Sequence, residues 1–309
     1  MTLINKISQI RSGRKVYSIL YNRVKLSHQT SRLITKIIKT SVYPIESIAR
    51  KLIYFYILLF SKSKTEVKNG YLIFPEKFDT NSTLYNDVMS IFNRYESFSD
   101  AKKTNKYGSS KVWRANLFQP EDLIDKPSIL EFVTQDEIIE AVTKYLGSSP
   151  IIGDIQLWWS KENSDISSSQ LYHIDQEDYK QLKLFAYFNN VTSDTGPLTF
   201  FDSEASALIK SRVDNPFNKI EDEEIDLSRG NHEAIEFTGE PGTYGLVDTS
   251  SCYHMGSRTR KGDRVAIMVS FLAHNCIREA NKLVLHNEEI AKAVSKNSKS
   301  RWKKYLFNL

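Results

Sequence analysis

From residue 151 onward the chain breaks into short runs of β-forming residues, and that feature constrains its fold more than any other. The runs cover 151–160, 170–174, 182–189, 197–201, 234–237, 243–247 and 264–273. Turn-forming stretches separate several of them: Asn189-Asn190, Thr195-Gly196-Pro197 and Glu240-Pro241-Gly242. Many short strands with Gly/Pro turns predict a sandwich or jelly roll. Residues 203–233 interrupt the pattern. They are polar and include Glu221-Asp222-Glu223-Glu224, a long excursion of the kind that lids and substrate loops make.

The part before residue 151 reads as helical. Pro44 suits the first turn of a helix that runs to about Phe60, and Ser61-Lys62-Ser63-Lys64 reads as a linker. Leu84, Val88, Ile91, Phe92 and Tyr95 recur at helical spacing behind Asn81 and Ser82, one of which is the expected cap. Gly108-Ser109-Ser110 reads as a loop. Ile138, Ile139, Val142, Tyr145 and Leu146 form a second stripe that Gly147 should stop. The fold class expected is therefore mainly β with a helical N-terminal part.

With 40% hydrophobic and 26% charged residues among 309, the chain is neither a disordered polymer, a collagen nor a polytopic membrane protein. Two cysteines, Cys252 and Cys276, cannot build a disulfide framework or a four-thiolate zinc site. A reducing, cytoplasmic compartment is expected. The charge is segregated. Residues 1–64 hold 13 Lys+Arg against Glu46 alone, residues 65–286 carry −11, and residues 287–309 carry +4. This predicts a basic helical extension over 1–64, a catalytic or binding domain over 65–286 and a basic tail over 287–309. The start of the chain lacks the charged, apolar and small-residue pattern of a secretory signal. The apolar run Leu52–Phe60 is nine residues, whereas a membrane span needs roughly 17–25. Two readings of the extension follow: peripheral contact with a membrane, with Tyr54 and Tyr56 at headgroup depth, or a helix packed on the main domain with solvated basic residues.

The chemistry centres on His173-Ile174-Asp175. Residues two apart on a strand share a face, so an imidazole and a carboxylate there can bind one metal. His254 is the best third ligand, following the run 243–247 and a short turn. Two histidines and one carboxylate leave three open positions on an octahedral ion, the arrangement of non-haem Fe(II) oxygenases, whereas zinc more often takes a tetrahedral set. Such an oxygenase needs an electron donor, and 2-oxoglutarate chelates iron through its keto-acid end. Its far carboxylate then needs a cation. Arg264 opens the strand after His254 and suits a bidentate pair with that carboxylate. On this strand Arg264, Ala266, Met268 and Ser270 share one face, and Val265, Ile267, Val269 and Phe271 the other.

Two stretches carry a family resemblance. One spans Tyr172-His173-Ile174-Asp175, Leu182 through Val191 and Gly196 through Phe201. The other spans Val247 through Arg258 and Gly262-Asp263-Arg264-Val265-Ala266. Together they resemble the phytanoyl-CoA dioxygenase family of Fe(II)- and 2-oxoglutarate-dependent oxygenases, over roughly residues 70–275. The resemblance implies a double-stranded β-helix (a cupin-like jelly roll) with flanking helices. It implies iron on His173, Asp175 and His254, and the 2-oxoglutarate carboxylate on Arg264. Lys183, on the strand after the His-x-Asp loop, becomes a further candidate for the co-substrate, and Arg258 a candidate for either co-substrate or substrate. The family often has Pro-Gly-Ser-His soon after Gly-Pro, where this chain reads Phe201-Asp202-Ser203-Glu204, so the substrate side differs.

Gln156 and Trp158 share a strand face and are expected to line the pocket, and Tyr187 and Thr199 are in reach of a co-substrate. Each also suits ordinary strand packing. Cys252 reads as a small buried hydrophobe rather than a ligand. The activity expected is hydroxylation of a small organic, sugar-like or lipid-like molecule with O₂, releasing succinate and CO₂. Desaturation and epimerisation use the same ligands. The rival reading is a non-catalytic jelly-roll binding module docked through its basic ends on a membrane or anionic polymer. Nucleic acid ranks lowest as a partner, since the catalytic stretch is net acidic.

Overall fold

The structure, a computed structural model, describes residues 13–61, 63–104, 111–119, 121–163, 166–256, 258–277, 303 and 306. Most of the tail expected at 287–309 and the loop at Gly108-Ser109-Ser110 lie outside them.

Among the described residues three helices come first: α1 (Gly13–Ser18), which runs on as a wider π-type turn over Ile19–Arg23, α2 (His28–Val42) and α3 (Pro44–Phe60). Pro44 occupies the first turn of α3, where its missing N–H costs nothing. After strand β1 (Tyr71–Ile73) come α4 (Thr83–Phe92) and α5 (Phe98–Thr104), then β2 (Arg114–Asn116) and α6 (Asp122–Asp125), α7 (Pro127–Val133) and α8 (Asp136–Leu146). Ser82 caps α4, its hydroxyl accepting from the Tyr85 amide at 3.3 Å. Leu84, Val88 and Ile91 are buried. Gly147 ends α8 at φ 69°, a left-handed position that favours glycine.

The remaining strands are β3 (Ile151–Lys161), β4 (Gln181–Tyr187), β5 (Leu198–Phe200), β6 (Ile235–Phe237), β7 (Tyr244–Val247), β8 (His254–Gly256) and β9 (Asp263–Leu272). They form two antiparallel sheets, one of six strands ordered β1-β7-β4-β9-β3-β2 and one of three ordered β6-β5-β8. A larger and a smaller antiparallel sheet with helices on the outside make a cupin-like jelly roll. Strand β9 is its spine, pairing β3 on one side and β4 on the other along nearly its whole length. Its alternation is as expected. Val265, Ile267, Val269 and Phe271 pack into the main core with Val88, Ile139 and Val142 of the helices. Ala266 and Met268 face the other way, into a second cluster with Trp158 and Phe185.

Two expectations change. Residues 170–174 form no full strand: Ser168 has φ 57°, a tight turn covers Ser168–Gln170, and only single bridges follow, Tyr172 with Ile220 and His173 with His254. The excursion 203–233 is not an open loop either. It folds into α9 (Ser203–Arg212) and α10 (Asp222–Ser228), which bury Ile209, Val213, Ile220 and Ile225 against Tyr172, Ile174, Phe201 and Tyr253.

The N-terminal helices pack on the domain through polar groups. Arg50 of α3 is 1% exposed and donates to the carbonyls of Ser149 (3.3 Å) and Pro150 (2.8 Å) while pairing with Glu46. Lys39 of α2 donates to the Cys276 carbonyl at 2.7 Å, and Lys36 pairs with buried Asp178 at 3.5 Å. Arg50, Lys39 and Lys36 thus face the domain, while Arg23, Lys25, Lys51 and Lys64 stay exposed, so the packed-helix reading's solvated basic set holds only for the latter.

Candidate active site

The two imidazoles meet because β8 opens on His254 and a bridge pairs it with His173. Each residue's amide donates to the other's carbonyl at 3.0 Å. The Asp175 amide donates to the Thr249 carbonyl at 2.7 Å, so two backbone anchors fix the His-x-Asp segment without a strand. The rings of His173 and His254 lie 4.3 Å apart between centroids. His173 Nε2 is 3.8 Å from Asp175 Oδ1, and His254 Nε2 is 3.5 Å from Asp175 Oδ2. One ligand-type atom from each of the three side chains lies within 4.8 Å of the others.

The tautomers follow from the backbone. His173 Nδ1 lies 2.8 Å from the Leu171 carbonyl, and His254 Nδ1 lies 3.0 Å from the Cys252 carbonyl. A carbonyl only accepts, so both Nδ1 atoms carry the proton. With Nδ1 held by a carbonyl, each ring turns Nε2 toward the carboxylate, in the arrangement by which backbone carbonyls orient metal-bound histidines. Burial, and then the neighbouring His254, push the His173 pKa down to about 3, which keeps that ring neutral. Burial alone would push the Asp175 pKa up, but Lys183 and then His254 hold the carboxyl well below the ordinary range. Lys183 Nζ sits 2.5 Å from Asp175 Oδ2, and despite burial that carboxylate raises its own pKa.

These groups open onto a cavity of about 820 Å³, within the roughly 300–1,000 Å³ common for small-molecule sites. His173, Asp175, His254, Lys183, Gln156 and Arg264 all line it. Arg264 is 1% exposed. Its Nη1 donates to the Gly196 carbonyl at 2.8 Å, and its Nε has no hydrogen-bond partner among the described residues. A buried guanidinium with an unused donor suits a carboxylate. Gly196 itself has φ 74°, and a Cβ there would meet Thr259 at 2.6–2.8 Å, so glycine is required where that carbonyl turns to the arginine. Gln156 donates to Asp154 and accepts from the Trp158 indole, a polar ladder along one face of β3.

Three expected residues do not line the cavity. Arg258 pairs with Asp222 of α10 through both terminal nitrogens and donates from Nε to the Gln170 carbonyl at 2.6 Å; it ties the helical insertion to the site rather than facing it. Tyr187 shares the cavity-side face of β4 with Lys183 and Phe185, but Phe200 and Phe237 close over it. Its hydroxyl donates to the Phe237 carbonyl at 2.7 Å and interacts with Arg264. Thr199 follows Leu198, which lines the cavity, so strand alternation turns it to the opposite face.

Lys111, Arg114 and Lys219 line the cavity without having been expected there. Arg114 sits on three-residue β2, too short to show alternation, and Lys219 lies in the insertion between its two helices. The one usable signal is register. Arg114 pairs with Ser160, which pairs with Arg264, so the two arginines share one row across three strands.

No family model matches the chain, and no curated protein matches it. Solved structures with a similar course include the carbocyclase SnoK from nogalamycin biosynthesis, described as non-heme and alpha-ketoglutarate dependent, at 10% identity and TM-score 0.47 over 66% of this chain and 79% of that one. EctD from S. alaskensis with 2-oxoglutarate and 5-hydroxyectoine matches at 12% identity and TM-score 0.46, over 66% and 72% of the two chains. The epimerase SnoN with Fe3+ and alpha ketoglutarate matches at 15% identity and TM-score 0.44, over 66% and 79%. The chemistry assigned below rests on the site's own geometry.

Proposed function

We propose that this protein is an Fe(II)- and 2-oxoglutarate-dependent oxygenase, a hydroxylase of a small organic molecule, with residues 65–286 as the catalytic unit. The observation that carries the reading is the convergence of His173 Nε2, His254 Nε2 and the Asp175 carboxylate, with both ring protons committed to backbone carbonyls. Two nitrogens and one oxygen fit a divalent iron that keeps open positions. Bound there with 2-oxoglutarate and O₂, the iron would supply oxidative decarboxylation to succinate and CO₂ and the oxidising power for substrate attack.

The chain's own residues do the rest. His173 and His254 present their Nε2 atoms to the metal position. Lys183 keeps Asp175 ionised and lies where it can hold a co-substrate carboxylate. Arg264 takes the far carboxylate, positioned by Gly196 and Tyr187. Phe185, Leu198 and Met268 give the wall an apolar portion that excludes water from the reacting groups. The proposed setting is the cytoplasm, with residues 1–64 against a membrane face. Nucleic acid is not a partner on this reading. A binding module would have no use for a ligand set backed by a buried arginine.

The test is anaerobic addition of Fe(II) and 2-oxoglutarate, watching for the visible iron-to-ketoacid charge-transfer band. The band is expected in the parent and absent from His173→Ala and Asp175→Ala. No band in the parent sinks the reading, and a band retained in both variants sinks the ligand assignment.

A further inference from the structure

The cavity holds more positive charge than the proposed reaction uses. Among the described residues, the cations Lys111, Arg114, Lys183, Lys219 and Arg264 face the carboxylates Asp154, Asp175 and Glu177, an excess of two. A divalent metal and a dianionic co-substrate cancel each other and leave that excess in place. Lys183, paired with Asp175, and Arg264 already have roles toward the co-substrate. Lys111, Arg114 and Lys219 are the lining cations to which the proposed reaction gives no role.

These three are arranged together. The Arg114 guanidinium carbon sits over Trp158, 3.7 Å from the ring centroid, with Trp113 at 5.2 Å. This cation–π contact holds the group at the cavity wall, and Arg114 Nε has no hydrogen-bond partner among the described residues. Adjacent serines bring the lysines in: Lys111 Nζ donates to Ser169 Oγ at 2.5 Å, and Lys219 Nζ to Ser168 Oγ at 3.1 Å. Burial, followed by Arg114 and then Lys219, pushes the Lys111 pKa down to about 7. Arg114 and Lys219 thus both act on Lys111, and a bound anion offsets that repulsion.

We propose that the substrate carries an anionic group, phosphoryl or carboxyl, and that Lys111, Arg114 and Lys219 hold it in the cavity beside the metal ligands. This assignment of substrate class rests on the oxygenase reading, while the anion site itself is testable without iron. Tryptophan fluorescence of the full chain is titrated at constant ionic strength with inorganic phosphate in one arm and malonate in the other. A saturable change is expected, with the stronger arm naming the group. Arg114→Gln and Lys219→Gln should each weaken it about 10-fold, and Arg114→Lys should weaken it less. The anaerobic charge-transfer band should persist in all three variants. No saturable change in either arm overturns the proposal. So does loss of the band in Arg114→Gln, which would make these cations a co-substrate site. Anion binding with no band in the parent would sink the oxygenase reading and leave the anion site standing.

A second inference rests on the N-terminal helices, which are amphipathic the wrong way round. On α3, Ile45, Ile48, Leu52, Phe55 and Leu59 form one stripe at three- and four-residue spacing, and all point outward, with Ile45 83% and Leu59 76% exposed. Buried Arg50 lies on the domain side. On α2, Ser31, Thr35 and Lys39 are buried while Leu33 and Ile37 are exposed. Contiguous apolar surface of this kind marks an interaction site. No helix among the described residues is long and apolar enough to cross a membrane, so α3 would lie flat. Arg23, Lys25, Lys51 and Lys64 are exposed in the same segment, so the matching partner is anionic lipid.

We infer that α2 and α3 seat this protein on an anionic bilayer surface. Co-sedimentation with vesicles of phosphatidylcholine plus phosphatidylserine should exceed that with phosphatidylcholine alone at least 10-fold and weaken in 0.5 M salt. Leu52→Glu with Leu59→Glu should abolish it without changing the melting temperature. Equal sedimentation with both vesicle types, or none, overturns the inference. So does a self-association that the double variant removes, which would make the stripe a contact between copies.

Discussion

The two faces of the six-stranded sheet are built on the same strands and obey different rules. On one face, Val265, Ile267, Val269 and Phe271 of β9 meet Leu182 and Leu184 of β4 and Ile155 and Leu157 of β3, under a lid of helices. On the other, one residue out of step, Arg264, Met268 and Ser270 meet Lys183, Phe185, Gln156 and Asp154 around the cavity. The first face is apolar throughout, so burial works in its favour. The second buries charge, which costs stability unless each charge finds a partner. A one-residue shift of register would exchange the two. The long pairing of β9 with both neighbours therefore protects the chemistry as much as the fold.

The largest expected effect tests the core face. Phe271→Ala should lower unfolding free energy by about 3–5 kcal/mol, measured by urea denaturation, with 2-oxoglutarate affinity of the folded protein unchanged. A comparable loss of affinity would mean the two faces are not separable. Next comes the cavity face. Arg264→Lys should weaken 2-oxoglutarate by about 1.5–3 kcal/mol, the value of a charge-assisted bond, in the anaerobic band titration, and the melting temperature should move by only a few degrees. Met268→Leu conserves volume and should cost less than about 1.5 kcal/mol in stability. A shifted substrate KM with unchanged kcat would place that side chain against substrate.

The smallest effect is a pH dependence. The Lys111 pKa lies near 7, lowered by burial and then by Arg114 and Lys219, with Asp175 and Lys183 also acting on it. Lys111 is thus protonated below that value and neutral above it. Sulfate keeps its charge across this range. Its binding, followed by tryptophan fluorescence, should weaken several-fold between pH 6 and pH 8, and Lys111→Gln should flatten the profile. An unchanged profile in that variant would assign the titration to another group.

Much of this architecture was legible in the sequence because periodicity survives without coordinates. The alternation of 264–273 divided β9 into its two faces, and the stripes at 84–91 and 138–142 marked the helices that cover the core. His173, Asp175 and His254 could be paired on residue type and order. The single bridge that joins the two histidines could not, because it is one residue long and leaves no pattern. Arg258 and Tyr187 looked like pocket residues because charge and hydroxyls attract that reading. Their partners, Asp222 and the Phe237 carbonyl, are remote in sequence. Arg114 was hidden for the opposite reason: it belongs to the site through Ser160 and Arg264, two strands away. The outward stripe of α3 shows the limit most clearly. Helical spacing reveals that a stripe exists, while its direction is decided by what Arg50 bonds to.

That arginine has a mechanical consequence. Its guanidinium grips the carbonyls of Ser149 and Pro150, and the very next residue begins the strand that carries Gln156 and Trp158 into the cavity. Whatever α3 rests upon is thereby keyed, through one rigid joint, to the orientation of the jelly roll, so a molecule arriving along that surface would meet the opening at a fixed attitude instead of a swivelling one.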